Sequence, residues 1–338
     1  MRAAFCTGPQ SIDLRDVPSP QVTRDAFVVQ VHACGICGSD LHCYRGGAPP
    51  PPVCLGHEIC GLVTAGSDGL TAGEAVVVEP LIACGACARC RAGEPNLCPT
   101  LRILGTTAAG GFADAVAVPA SSVYRLPPGL DLDTAMLAEP LAVAVHAAHI
   151  AAVALGDEVL VLGGGTIGLL AAFAAARSGA RVRVSARYPH QRSMALALGA
   201  AAVIEAERAA VLDAAVREPP DVVLESVGGA ADTLDLALRT VRPGGRIVAL
   251  GKFTQSIMLH PLRFLMKEVH LVSSMTYSRR DARPDFVTAL SFLVRERDLL
   301  ARLITHRVPL AEIANGFALA ADKSSRAIKV AVTVAASG

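Results

Sequence analysis

The sequence contains no tryptophan, few aromatic residues (4%) and little charge (18% Asp, Glu, Lys and Arg) over its 338 residues. Because its 31 basic and 30 acidic side chains nearly cancel, it lacks the charge excess that binds nucleic acid or an anionic membrane. It also lacks an apolar run long enough to span a bilayer. No apolar export signal follows Met1, so we expect a cytoplasmic protein. These absences favour a small-molecule partner over nucleic acid or a membrane.

Cysteine, in contrast, is abundant, with ten residues in the chain. Four of them have the spacing C-x2-C-x2-C-x7-C, in a segment of small residues: Cys84, Cys87, Cys90 and Cys98. Thiolates at such intervals can surround Zn²⁺ in a tetrahedron, and in a reducing compartment clustered thiols indicate metal ligands rather than disulfides. The alternative is that the four cysteines form two disulfides or are scattered buried thiols. The spacing predicts a structural zinc in a lobe of about residues 83–100.

Three further residues offer a mixed set of metal ligands. Cys37 supplies sulfur, His57 imidazole and Glu58 a carboxylate, a combination that suits a catalytic zinc with one position open for water or substrate. Glu139 is another candidate ligand, and the sequence leaves open whether Glu58 or Glu139 completes the set. Asp40 is a candidate acceptor for the ring N–H of His57. We therefore predict two zinc ions per chain, one structural and one catalytic.

The pattern of the chain changes near residue 156. Earlier segments contain short β-branched runs, such as 27–33 and 75–79, broken by glycine and proline, which predicts a compact β-rich domain. Later segments alternate apolar strands with helical stretches, which predicts an α/β domain with a doubly wound parallel sheet. Strands are expected there at 158–162, 182–184, 202–204, 221–224 and 246–250.

This pattern suggests how the chain divides into domains. We assign residues 1–148 and 282–338 to the β-rich domain and residues 149–281 to the α/β domain. The last segment ends in the strand-like run 327–332, which we expect to pack on the β-rich domain.

Glycines between the first apolar strand and the following helix form a dinucleotide-binding fingerprint. Gly163, Gly165 and Gly168 provide a tight turn, a close approach to pyrophosphate and close packing of helix on strand. The N–H groups of Thr166 and Ile167, at the predicted start of the helix, are available to the phosphate oxygens. The context predicts a nicotinamide dinucleotide cofactor.

The turn after the second strand bears on which cofactor binds. An NAD site usually has an acidic residue there for the ribose 2′-hydroxyl, but residues 184–192 contain no carboxylate. Ala186 stands at the expected position and Arg187 follows it. Arg187, with Ser185 and Arg192, can bind a 2′-phosphate, which favours NADP. The alternative is that Arg187 is a solvated surface residue and that NAD is also used.

Together these motifs resemble those of the zinc-dependent medium-chain dehydrogenase/reductase family, which includes alcohol, polyol and threonine dehydrogenases. The resemblance covers essentially the whole chain and rests on segments 37–42 and 56–61, the four-cysteine lobe, Glu139-Pro140-Leu141 and the glycine fingerprint. It implies a Rossmann domain beside a GroES-like catalytic domain that carries the zinc lobe. Glu139, where many alcohol dehydrogenases have cysteine, makes the chain more similar to the polyol and threonine dehydrogenase branch.

The resemblance also implies a reaction and roles for particular residues. A hydride passes reversibly between a secondary alcohol or polyol and NADP, giving an aldehyde or ketone. Ser39 accepts the alcohol proton and passes it through the cofactor ribose towards His42, while Arg326 binds the pyrophosphate. A homodimer or homotetramer is expected as well.

The chain departs from the family pattern at four positions, and two rival functions are left open. Cys60 stands where the family often has a small residue, Cys43 and Cys54 are additional thiols, and Ala186 replaces the acid of NAD-using enzymes. The first rival is an NAD-dependent polyol or threonine dehydrogenase. The second is a non-catalytic zinc-binding protein on the same scaffold, which the presence of Ser39 and the complete ligand set disfavours. The substrate is left open.

Overall fold

The structure is a computed structural model that describes residues 1–21, 26–46, 53–65, 69–279 and 283–334. It divides into two compact units, the first formed by residues 1–139 and 278–338 and the second by residues 140–277. The domain boundaries expected at 148 and 281 stay predictions, and the latter lies outside the described residues.

The strands in chain order are β1 (Arg2–Gly8), β2 (Ser11–Asp16), β3 (Ala26–Gly35), β4 (Glu58–Ala65), β5 (Ala75–Val78), β6 (Leu81–Ile82), β7 (Arg102–Ile103), β8 (Ala115–Pro119), β9 (Val123–Arg125), β10 (Glu158–Leu162), β11 (Arg181–Ala186), β12 (Ala202–Glu205), β13 (Val222–Glu225), β14 (Arg246–Ala249), β15 (His270–Ser273), β16 (Ile304–Pro309) and β17 (Lys329–Thr333).

The helices are α1 (Gly38–Tyr44), α2 (Ala88–Arg91), α3 (Leu132–Ala135), α4 (Ala138–Ile150), α5 (Thr166–Arg177), α6 (Pro189–Ala197), α7 (Arg208–Arg217), α8 (Thr233–Thr240), α9 (Pro261–Lys267), α10 (Asp285–Arg295), α11 (Arg297–Ala301) and α12 (Ile313–Ala321). Short 3-10 helices lie at Pro95–Leu97, Ala120–Ser122, Leu310–Glu312 and Lys323–Ser325.

The first unit is built around β3. This strand pairs antiparallel with β4, β8 and β17, so the C-terminal strand joins the sheet of the N-terminal segment. Its side chains are buried over most of its length because sheet neighbours flank it on both edges and the core covers it. Within the described residues, the sheet has the order β16-β17-β3-β4-β5-β9, with β8 also on β3. Consequently β3, β4 and β17 bring their ends together at one place.

The second unit is a parallel sheet with the order β12-β11-β10-β13-β14-β15 among the described residues. The central strands β10 (EVLVL) and β13 (VVLE) are apolar except for one glutamate each, as is typical of a parallel sheet covered on both faces, and β10 is buried from its second residue on. The order reverses at β10, between β11 and β13, and such a switch point is where open α/β sheets bind ligands. The helix α5 follows β10 and buries eight consecutive residues, Gly168 to Ala175.

The predicted fold class, a doubly wound Rossmann-type sheet with a β-rich second part, is confirmed. Throughout the described ranges, none of the helices has the length and apolar character that crossing a bilayer requires.

Candidate active site

Cys37 occupies a rigid turn between β3 and α1. It is the N-cap residue of α1, with an extended backbone (φ −94°, ψ 160°). Its N–H donates to Asp40 Oδ2 at 2.9 Å, which satisfies a backbone donor at the start of the helix. The thiol of Cys37 is therefore held at a defined point where β3 ends.

His57 and Glu58 enter the same region at the start of β4. The register pairs Glu58 with Gly35, the last residue of β3, and a side chain at position 35 would collide with the Glu58 carboxylate. Glycine at this position leaves room for that carboxylate. Both His57 and Glu58 are buried, with relative exposures of 8% and 0%.

These three residues form one ligand set that fits zinc. One donor atom each from Cys37, His57 and Glu58 lies within 4.8 Å of the other two, so the three donors surround one place where a zinc ion could be held. The Nδ1 atom of His57 is buried and has no hydrogen-bond partner among the described residues. The set combines sulfur, imidazole and carboxylate donors, and the imidazole has a buried nitrogen that is unpaired among the described residues. Both features are consistent with a metal centre.

Glu139 lies near this set but is not one of the three residues whose donors meet. It is buried at the start of α4, with an exposure of 6%. Burial raises the pKa of its carboxyl to about 7, against the opposing effect of His57. The structure therefore favours Glu58 over Glu139 as the third ligand, and the role of Glu139 stays a prediction.

Asp40 lies beside His57 without bonding to it. The distance from Asp40 Oδ1 to His57 Nδ1 is 3.8 Å, longer than a hydrogen bond. Burial opposes a charge on the His57 ring, but the Asp40 carboxylate and Cys37 outweigh it and raise the pKa of His57. Asp40 thus orients the segment through the Cys37 N–H, and the predicted hydrogen bond from the His57 ring to Asp40 is not formed at this distance.

The Glu58 carboxylate pairs with a lysine that the sequence motifs did not identify. Lys329 Nζ donates to both carboxylate oxygens of Glu58, at 2.6 and 2.8 Å, and to Ile36 O at 3.0 Å. Lys329 and Glu58 have relative exposures of only 2% and 0%. The available signal was a charged residue inside the apolar run of β17, but its partner lies 271 positions away.

Ser39 and His42 both belong to α1, two and five residues after its N-cap residue, Cys37. Ser39 is exposed and His42 is partly buried. Residues three apart on a helix lie on neighbouring positions of its surface, so the two side chains share one side of α1. Their assignment as a proton path stays a prediction.

The four lobe cysteines converge as one cluster. Their sulfur atoms lie within 4.8 Å of one another, with Cys84 and Cys90 at 3.9 Å and Cys87 and Cys90 at 3.5 Å. Tetrahedral thiolates with Zn–S bonds of about 2.3 Å lie about 3.8 Å apart, whereas a disulfide bond is about 2.0 Å long. All four cysteines are free thiols, so this arrangement matches zinc and not the disulfide alternative.

Backbone N–H groups in the lobe point at these sulfur atoms. Cys84 N–H donates to Cys98 Sγ at 3.4 Å, Cys87 N–H to Cys84 Sγ at 3.3 Å and Cys90 N–H to Cys87 Sγ at 3.5 Å. The bond from Cys84, with Thr100 nearby, lowers the pKa of Cys98 to about 6. Burial raises the pKa of Cys90 to about 12, so the thiols of the cluster differ in how readily they ionise. Donors arranged in this way stabilise thiolates, the form that binds metal.

The predicted glycine loop lies in the second unit, between β10 and α5. Gly163 has φ +113°, a conformation that side chains disfavour, and its N–H donates to Ser185 O at 3.0 Å. Gly165 is the N-cap of α5, and a Cβ built on it meets nothing within 4 Å. The N–H groups of Thr166 and Ile167 belong to the first turn of α5, which lacks intrahelical partners for its donors.

The turn after β11 contains the residues that are predicted to determine the preference for NADP or NAD. Ser185 and Ala186 are buried at the end of β11, and Arg187 is exposed. The Arg187 guanidinium has no hydrogen bond or ion pair with the described residues, so it is available to a ligand. The Arg192 guanidinium instead donates to Ala186 O at 3.3 Å and to Arg187 O at 3.1 Å.

The remaining predicted site residue, Arg326, belongs to the first unit. It follows the short helix Lys323–Ser325 and has a left-handed backbone (φ 61°). Its contact with the pyrophosphate stays a prediction.

Two family models match the chain and together cover more than half of it. Residues 23–128 match the alcohol dehydrogenase GroES-like domain, and residues 166–295 match the zinc-binding dehydrogenase domain.

Relatives and solved structures match over nearly the whole length. L-galactonate-5-dehydrogenase of Escherichia coli K12 is 30% identical over 98% of this chain and 99% of its own. A Sinorhizobium meliloti 1021 protein described as a zinc-binding dehydrogenase and bound to NADP is 31% identical, with a TM-score of 0.87 over 98% of each chain. An alcohol dehydrogenase of Escherichia coli CFT073, complexed with NADH, is 27% identical, with a TM-score of 0.88 over 98% of this chain and 99% of its own.

Proposed function

Because the chain belongs to the zinc-dependent medium-chain dehydrogenase/reductase family, we propose that it transfers a hydride reversibly between an alcohol and NADP, giving an aldehyde or ketone. The observation that carries the proposal is the convergence of Cys37, His57 and Glu58, with donor atoms within 4.8 Å of one another. The exposed Ser39 lies two residues beyond Cys37 in the sequence. Such a set would not be needed by a protein that only bound a dinucleotide.

The residues of the first unit would hold zinc and handle the proton. Zinc bound by Cys37, His57 and Glu58 supplies Lewis acidity, which lowers the pKa of a hydroxyl group by several units. Ser39 Oγ would accept the proton that the alcohol loses, and the proton would pass through the cofactor ribose towards His42, which lies on the same side of α1. The alcohol carbon gives its hydride to nicotinamide C4, so the substrate is oxidised by two electrons and the cofactor is reduced.

The lobe would hold a second zinc with a different role. Its four thiols leave no protein position open, so the ion would stabilise the fold and would not bind substrate. A second zinc of this kind is proposed from the sulfur distances and from the N–H groups that point at the thiols.

The proposed substrate is a secondary alcohol of a polyol or sugar acid. Glu139 in place of cysteine favours the polyol branch, and a relative of 30% identity is named for a galactonate. An NAD-linked polyol dehydrogenase is the alternative, because one similar structure holds NADH.

NADP is the proposed cofactor because of two neighbouring residues. Ala186 offers no carboxylate to a free 2′-hydroxyl, and the unpaired Arg187 guanidinium is suited to a 2′-phosphate. A similar structure of 31% identity holds NADP, which supports this choice.

The test is a panel of polyols and sugar acids assayed with NADP and with NAD. We expect oxidation of at least one secondary alcohol and a higher kcat/KM with NADP. Arg187→Ala should lower kcat/KM for NADP by about tenfold, the lower range for a charge-assisted contact at an exposed site, with little change for NAD. Arg217→Ala is the control, since Arg217 is an exposed arginine at the end of α7. Higher wild-type kcat/KM with NAD would overturn the cofactor proposal, and no turnover with either would overturn the function.

We propose further that the protein forms at least a homodimer through the edge strand β15. β15 is the edge strand of the parallel sheet, and all four of its residues are exposed. Large apolar side chains around it are exposed as well: Leu262, Leu265, Met266, Leu271 and Val272. The same edge of a second copy would supply matching backbone donors and acceptors and would cover this surface. Light scattering at micromolar concentration should give at least twice the chain mass, and a monomer would contradict the proposal.

A further inference from the structure

A carboxylate reaches the turn after β11 from the neighbouring strand. The strands β11 and β12 are parallel, and their register pairs Ala186 with Glu205, the last residue of β12. Paired residues of adjacent strands lie about 4.8 Å apart at their backbones. Glu205 therefore stands directly beside the position where an NAD-binding site usually has its own acid.

Arg192 links this carboxylate to the turn. Its Nη1 atom lies 3.5 Å from Glu205 Oε1 and donates to the carbonyl oxygens of Ala186 and Arg187. The Arg192 side chain is mostly covered, with 23% exposure, whereas that of Glu205 is 66% exposed. Arg192 is thus held by backbone and by Glu205, and its charge is offset by an adjacent anion.

From this geometry we infer that Glu205 is a specificity-determining residue that weakens the binding of a 2′-phosphate. The inference rests on the proposed dinucleotide site. A 2′-phosphate monoester carries about 1.5–2 negative charges near pH 7. Beside Ala186 the phosphate meets the unpaired cation of Arg187. Glu205 repels the phosphate and offsets the charge of Arg192. NAD has no charge at this position, so Glu205 acts on NADP alone.

The experiment compares the dissociation constants of NADPH and NADH for wild type and Glu205→Gln, measured by nucleotide fluorescence. We expect about three- to tenfold tighter NADPH binding in Glu205→Gln, the range for removing one screened like charge from an exposed site. The dissociation constant of NADH should change less than twofold. The gain in NADPH affinity should shrink at high salt, because screening acts on exposed charges.

Glu207→Gln is the matched control. Glu207 is also exposed, carries the same charge and lies two positions away, at the N-cap of α7, and it should leave both dissociation constants unchanged. If Glu205→Gln leaves NADPH affinity unchanged or weakens it, the inference is overturned, and a weakening would mean that Glu205 positions Arg192 to bind the phosphate. Should wild type bind neither nucleotide, the proposed function itself fails, which is a separate result.

Discussion

Replacing Lys329 by methionine should destabilise the first unit severely. Its ammonium group donates to both oxygens of Glu58 and to the Ile36 carbonyl, and the pair is almost completely buried. Methionine of similar length keeps the packing but, in the metal-free protein, leaves the Glu58 carboxylate as an uncompensated buried charge. Removing one partner of a buried ion pair typically costs about 3–5 kcal/mol of unfolding free energy. For a unit of about 200 residues, this lowers the melting temperature by about 6–20 °C.

The assay is a double-mutant cycle with Lys329→Met, Glu58→Gln and the double variant, followed by thermal and urea unfolding. The double variant removes both charges, so it should be more stable than Lys329→Met alone. All four members of the cycle are measured free of zinc, so the loss of a zinc ligand through Glu58→Gln does not enter the coupling energy. If Lys329→Met costs the same in both backgrounds to within about 0.5 kcal/mol, the two residues are not coupled and the reasoning fails.

Other substitutions give distinct outcomes. Cys90→Ser should remove one zinc per chain and lower the melting temperature, because structural zinc contributes directly to folding; unchanged zinc content would mean that the lobe holds no metal. Cys37→Ser should keep the lobe zinc and the fold but reduce turnover at least about hundredfold, as steady-state assays and metal analysis would show. Ala186→Asp should reverse the cofactor preference through repulsion of the 2′-phosphate, and kcat/KM ratios that still favour NADP would refute this. Gly168→Ala would place a methyl 2.5 Å from Ser226 Oγ and should weaken NADPH and NADH alike by about tenfold; unchanged dissociation constants would exclude the glycine loop.

The local parts of the fold were predictable from the sequence. The strand β10, the glycine loop and α5 follow one another within twenty residues. Their apolar pattern and glycine spacing are therefore enough to predict this strand, loop and helix. The lobe cysteines are similarly close in sequence. Strand β15 had no such signal, because His270–Ser273 lies at a sheet edge and none of its four residues is buried.

Features that depend on distant residues were not predictable. Lys329 and Glu58 meet only because β17 and β4 both pair with β3. Residues 184–192 contain no carboxylate, yet the parallel register brings Glu205 beside Ala186. The register between two strands depends on the folded sheet, so it cannot be predicted from either segment alone.

The central claim is that hydride transfer depends on the site of Cys37, His57 and Glu58. The most direct measurement is the transfer of deuterium from the carbinol carbon of an active secondary alcohol to nicotinamide C4, followed by mass spectrometry of the cofactor. We predict that wild type places the label on the reduced cofactor and that folded Cys37→Ser, with its lobe zinc retained, does not. Label lost to solvent in wild type, or transfer by Cys37→Ser at the wild-type rate, would contradict the account.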